Sequence, residues 1–151
     1  GHLAAMLATT ADVARLEGSG AHTGAPSRVC LAVLFNAVLD LPGLVAEGLG
    51  LEMVPAFLGV PPEGNECLYR EASPMAHAGP GAAPCLLLHG TADRAVPHAH
   101  AVRFRDRLAQ AGVPVELASY EGQPHAFFSR SPYYEETYAK MEAWLKTRFG
   151  L

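Results

Sequence analysis

The sequence predicts an α/β fold in which parallel strands lie beneath flanking helices. Three short strand-like runs, at 29–35, 84–89 and 113–120, are the first observation behind that prediction. The first two are almost continuously apolar, the pattern of strands buried on both faces. The second observation is what separates and flanks the runs. Segments 97–111 and 131–149 place apolar residues at helical spacing, giving the order helix, strand, irregular segment, strand, helix, strand, helix. Strands that alternate with helices imply a parallel sheet with right-handed crossovers.

Each element follows from its residues. Positions 1–9, GHLAAMLAT, are rich in Ala and Leu and favour a helix, but no capping side chain precedes them, so the helix reads as cut near its start. Residues 17–28 carry Gly, Ser and Pro and read as a surface loop. Val29 to Phe35 is the first strand. It is expected to pair on its other side with strands outside this chain, so that the chain alone would associate through a bare edge. Repeated Gly and Pro break residues 36–72 into short helices around 44–49 and 51–58. This segment is either a cap-like insertion over a cleft or plain connecting structure.

Pro84 to His89 forms the second strand and runs straight into the turn Gly90-Thr91-Ala92-Asp93. Pro97 suits the first position of a helix. Ala101, Phe104, Leu108 and Ala111 make that helix's inner stripe, and Gly112 ends it. In the third strand, 113–120, Pro114 implies an edge position or a strand end. A loop containing Gly122, Pro124 and His125 follows. Ser131-Pro132 opens the last helix, with Tyr134, Tyr138, Met141, Leu145 and Phe149 expected to face inward and Glu135 and Glu136 suited to its N-terminal end.

Composition narrows the function classes. Half of the 151 residues are hydrophobic and 17% are charged, which argues against a disordered chain. The net charge is −4 with no Lys/Arg block, so the concentrated positive field that nucleic acid requires is missing. No apolar stretch reaches membrane-spanning length. Of Cys30, Cys67 and Cys85, none forms a Cys-x-x-Cys pair; Cys30 and Cys85 sit in apolar runs and read as buried free thiols. His98 and His100 are two apart and would not share a helix face, so they do not suggest a metal site. His89, at the end of a buried strand, reads as a satisfied structural histidine.

Two residues stand out for chemistry. Asp93 follows the second strand and His125 follows the third. In a parallel sheet both loops lie at the carboxyl ends of the strands, where α/β proteins bind ligands. A carboxylate there can hold one imidazole nitrogen and leave the other free as a general base. Taken singly, Asp93 also suits a turn and His125 an unpartnered loop. Together they occur at matching strand ends, in the order acid then histidine.

The residues around them resemble those of the α/β-hydrolase superfamily. Leu88-His89-Gly90-Thr91-Ala92-Asp93-Arg94-Ala95-Val96-Pro97 is similar to the acid loop H-G-x-x-D-x-x-V-P, and Gly122-Gln123-Pro124-His125-Ala126-Phe127 to the histidine loop G-x-x-H-x-F. Ala126 replaces the Gly that often follows the histidine. Ala72-Ser73-Pro74 resembles an A-S-P turn that precedes the acid-bearing strand, and Gly1-His2-Leu3-Ala4 resembles the end of the nucleophile elbow G-x-S-A-G-G-H-L-A. The nearest group is the feruloyl-esterase-like and acetyl-esterase-like branch, bordering the prolyl-oligopeptidase-type hydrolases.

The resemblance implies that residues 1–151 are the C-terminal portion of one α/β-hydrolase domain. Asp93 would be the triad acid and His125 the base of a serine carboxylic ester hydrolase. Its nucleophilic serine would stand three residues before Gly1, and the oxyanion hole would also lie upstream. It implies no cofactor or metal, and a small-molecule ester as substrate, short-chain or carbohydrate-linked. No serine in the chain lies in a Gly-x-Ser-x-Gly context, so the isolated chain is expected to be inactive. The alternatives are a noncatalytic, truncated or degenerate hydrolase domain and a prolyl-oligopeptidase-type serine hydrolase.

Overall fold

The computed structural model describes residues 1–11, 13–22 and 24–151. Three parallel strands, β1 (Ala32–Phe35), β2 (Cys85–Gly90) and β3 (Val115–Tyr120), form a sheet in the order β1-β2-β3. The register pairs Leu34 with Leu87 and Leu87 with Leu117, which brings the carboxyl ends of all three strands to one rim. All six residues of the central β2 are buried. Successive side chains of a strand point to opposite faces, so β2 needs apolar cover on both.

Helices supply that cover. Helix α1 (His2–Thr9) and, after β2, helix α6 (His98–Gln110) pack on one face, where Ala5, Ala8, Leu34, Leu87, Phe104 and Leu108 share a core. Helix α7 (Tyr133–Phe149) covers the other, with Trp144 against Leu86 and Leu88. Between β1 and β2 lie α2 (Leu41–Ala46), α3 (Met53–Leu58), α4 (Glu66–Glu71) and α5 (Pro74–His77). The first three gather around a smaller core of Leu41, Leu44, Val54 and Tyr69. Asp40 starts α2 by accepting from Gly43 N at 3.1 Å.

Four expectations need correction. The first strand begins at Ala32 rather than Val29, where Ala32 N donates to Pro84 O just ahead of β2. Cys30 therefore precedes the ladder and is exposed, whereas Cys85 is buried within β2, where desolvation pushes its thiol up to about 12. The inner face of α7 is also rotated from the expected stripe: Thr137 and Trp144 are buried, while Tyr134, Tyr138 and Phe149 are each more than half exposed. Met141 and Leu145 of the expected stripe do pack against the core of Leu86, Leu88 and Trp144, so the two neighbouring stripes share that part of the helix, and the large indole of Trp144 supplies the buried aromatic. The first short helix of the irregular segment begins earlier than expected, at Leu41 rather than residue 44, because the Asp40 cap and Pro42 set the start, while the second begins at Met53 and ends, as expected, at Leu58.

Other elements match. Pro97 stands at the N-cap, one residue before the first position of α6, and Gly112, at φ 75°, ends the helix in a left-handed conformation that costs a glycine little. Strand β3 lies at an edge, and Pro114 contributes only its carbonyl, to Cys85 N. The outer edge of β1 carries no strand among the described residues.

Candidate active site

Each strand delivers one polar side chain to the common rim: Asn36 directly after β1, Asp93 in the turn after β2, and His125 in the loop after β3. The two longer loops are clamped together by backbone. Thr91 N donates to Tyr120 O, Ala92 N to Gln123 O at 3.0 Å, and Gly122 N to the Thr91 hydroxyl at 2.8 Å. The approach is so close that a Cβ on Gly90 would lie 2.1 Å from Gln123 O. Glycine at this position is thus a requirement of the junction between the two loops.

The Asp93 side chain is fully buried. Its Oδ1 accepts from the N–H groups of Ala95 and Val96, both at 2.9 Å. Its Oδ2 lies 2.8 Å from His125 Nδ1 and accepts from Asn36 Nδ2 at 3.2 Å. His89 Nε2 is 3.3 Å from the same oxygen and 2.9 Å from Val96 O. A carbonyl can only accept, so Nε2 carries the proton and donates it there. Burial holds the His89 imidazole below its ordinary pKa of 6.5, favouring the neutral ring. The sum is a carboxylate sequestered from water, with donors on both oxygens.

The His125 ring is tied to this carboxylate on one side, and its side chain is 45% exposed. A proton on Nδ1 leaves Nε2 as the free, basic nitrogen. Ala126, the next residue, sits at φ 59° and ψ 22° and turns the chain into the short 3₁₀ turn Phe127–Ser129. This left-handed conformation explains why glycine is common after the histidine in the resembled loop. A cleft of about 440 Å³ opens beside His125, walled by Gln123, Ser129, Arg130, Ser131 and Tyr133. A larger apolar groove of about 740 Å³ runs between α1 and α3–α4, along Leu3, Leu7, Leu16, Phe57, Leu58 and Leu68; neither Asp93 nor His125 lines it.

The start of α1 belongs to the same rim. A Cβ on Gly1 would meet Phe35 O at 2.7 Å and Ala37 at 2.8 Å. His2 holds this end in place: its Nε2 bonds Ala72 O at 2.8 Å, and its ring meets Phe57 edge-on at 5.5 Å. Burial lowers the His2 pKa as well. Of the remaining histidines, His98 bonds Ser119 Oγ at 2.8 Å in an exposed pair, and His100 is buried with Nε2 3.2 Å from Glu47. Among the described residues no three His, Cys, Asp or Glu side chains cluster as a metal would need, and no helix is long and apolar enough to cross a membrane.

Sequence reasoning brought Asp93 and His125 forward and missed Asn36. Its one local signal was an asparagine at a strand end, a residue type tolerant of left-handed backbone; here φ is 42°.

Comparison with known proteins now decides the family. The pattern of the prolyl oligopeptidase family matches residues 54–151, about two-thirds of the chain. The chain belongs to the prolyl oligopeptidase family. Its fold is a partial α/β-hydrolase fold of the esterase kind. Over 132 residues it is 33% identical to the probable carboxylic ester hydrolase LipM of Mycobacterium tuberculosis, covering 84% of this chain and 30% of that protein. Among solved structures, Thermogutta terrifontis esterase 2 phosphonylated by sarin gives a TM-score of 0.78 at 30% identity, covering 97% of this chain and 52% of that one. The apo form of the same esterase gives 0.76 at 33% identity, covering 96% and 51%. Its propionate-bound form gives 0.74 at 30% identity, covering 95% and 51%. This member of the prolyl oligopeptidase family thus spans about half the length of the solved esterases and less than a third of the mycobacterial relative.

Proposed function

We propose that this chain supplies the acid and base of a serine carboxylic ester hydrolase, with Asp93 as acid and His125 as base. The single observation that carries the reading is the 2.8 Å contact between His125 Nδ1 and Asp93 Oδ2 at the carboxyl rim of a parallel sheet. On this reading the chain is the C-terminal portion of one α/β-hydrolase domain. The nucleophilic serine belongs to a segment preceding Gly1, and the close packing of Gly1 against the end of β1 supports a strand-to-helix elbow at that rim.

The reaction needs no cofactor. His125 Nε2 accepts the serine hydroxyl proton as the oxygen attacks the ester carbonyl. Asp93 steadies the imidazolium through Nδ1. When the tetrahedral intermediate collapses, the imidazolium returns the proton to the departing alcohol and an acyl-enzyme remains. Water, deprotonated by the same nitrogen, then attacks the acyl carbon; the proton passes back to serine and the carboxylic acid leaves. A small-molecule ester is the proposed substrate. The propionate-bound relative favours a short acyl group. Peptide-bond cleavage is the second reading, favoured by the family's name.

Two tests bear on the proposal. The reading frame directly upstream of Gly1 should encode Gly-x-Ser-x-Gly ending in this elbow; its absence removes the nucleophile from the scheme. The 151-residue chain alone should hydrolyse p-nitrophenyl acetate no faster than its His125→Ala variant, and clear His125-dependent turnover would show that the chain needs no serine from outside.

A further inference from the structure

We infer that Asn36 is a positioning residue for the Asp93–His125 pair: its amide, donating to Asp93 Oδ2, fixes the plane of the carboxylate and thereby which imidazole nitrogen carries the proton. This rests on the acid–base reading above and assigns a third side chain to it.

The geometry of the carboxylate carries the argument. Oδ1 is pinned by two backbone N–H groups, both from the turn that holds Asp93 itself. Those bonds leave Oδ2 free to swing about the pinned oxygen. Its direction is set by side chains: His125 at 2.8 Å and Asn36 at 3.2 Å. His89 is a weaker constraint, because its Nε2 proton is spent on Val96 O and Oδ2 lies 3.3 Å away. Asn36 is therefore the side-chain donor that holds Oδ2 independently of the histidine being positioned.

Asn36 is itself held firmly. Its N–H donates to Leu88 O at 3.0 Å, and the residue is 5% exposed. The amide can face Asp93 in one sense only, because the opposite rotamer would aim its carbonyl oxygen at a carboxylate. In the observed sense Oδ1 is buried without a hydrogen-bond partner among the described residues. An orphaned acceptor is costly, and its retention fits a side chain selected for what Nδ2 does. A rival explanation is that asparagine stands here merely for its left-handed backbone.

The test separates these explanations by variants that keep the backbone. Asn36→Gly accepts the φ of 42° freely and removes the amide. Asn36→Asp keeps the shape and tolerates the same region, yet cannot donate when ionised. The 151-residue chain is labelled with ¹⁵N-histidine, and long-range ¹H–¹⁵N spectra are read at a pH where the rings are neutral. In the native chain the two His125 nitrogens should be well separated, with Nδ1 the protonated one. In both folded variants the two shifts should move toward each other, the mark of mixed tautomers. A His125 spectrum identical to native in folded Asn36→Gly would overturn the inference. Asp93→Asn separates the two levels of the argument. If it leaves the His125 tautomer unchanged, the acid–base reading falls and this inference with it. If it shifts the tautomer while Asn36→Gly does not, the role of Asn36 alone is lost.

Discussion

Gly90→Ala is a severe test of how the rim is built. The added Cβ would lie 2.1 Å from Gln123 O, 2.7 Å from its carbonyl carbon and 3.1 Å from its Cβ. Carbon contacts of this kind relax at about 3.5 Å, so Gln123 must retreat by more than about 1 Å. The obstacle is backbone, not the end of a flexible side chain, and it is two residues from His125. Overpacking at such a contact costs about 1–3 kcal/mol. The retreat also breaks the Ala92 N to Gln123 O bond, worth about 1 kcal/mol. The expected loss is about 2–4 kcal/mol, read as a lower urea midpoint followed by the fluorescence of Trp144, the one tryptophan. In the same variant the His125 Nδ1–H contact to Asp93 should be lost from the NMR spectrum. A Gly90→Ala chain within about 0.5 kcal/mol of native, with that contact intact, would refute the clamp, since changes of this size are ordinary at uninvolved surface positions.

Other outcomes follow from the same geometry. Ala126→Gly relieves a left-handed alanine worth about 1–2 kcal/mol of strain and gives back about 0.4–1 kcal/mol in unfolded-chain entropy; urea unfolding should show a net gain, and a loss would contradict the strain. Acid should destabilise the fold: burial lowers the pKa values of His89, His2 and His98 from 6.5, so below that pH the unfolded chain binds protons the folded chain refuses. The urea midpoint should therefore fall as pH drops from 7.5 toward 5.5, each unit of depression at buried His89 being worth about 1.4 kcal/mol; a flat or rising midpoint would contradict it. Phe104→Ala empties a fully buried site between α6 and the sheet and should cost about 3–5 kcal/mol by denaturant titration; a cost under about 1 kcal/mol would show that the core can close over the gap.

The parts legible in the sequence are those specified locally. Strand β2 runs apolar to its last residues and then turns at once, so Asp93 could be assigned to a strand end from adjacent residues alone; His125 after β3 was legible in the same way. Asn36 was not, because its significance lies in a contact with a residue 57 positions away. The inner face of α7 was misread since two apolar stripes compete on it, and only packing against Leu86 and Leu88 chooses Trp144. The start of α2 was written locally, in Asp40 and Pro42, but the glycines around it masked the signal. Cys30 looked buried because its neighbours are apolar; burial needed a ladder that begins only at Ala32.

The central claim is that the imidazole of residue 125 moves the protons of ester hydrolysis. Its most direct measurement is kcat/KM for p-nitrophenyl acetate in a polypeptide that carries, ahead of Gly1, the serine segment proposed above. His125→Ala should lower it by about 10²–10⁴-fold, the contribution typical of a general base, while His22→Ala, at an exposed imidazole in the loop before β1, should leave it within about twofold. Equal losses in the two variants, or full activity without His125, would contradict the account.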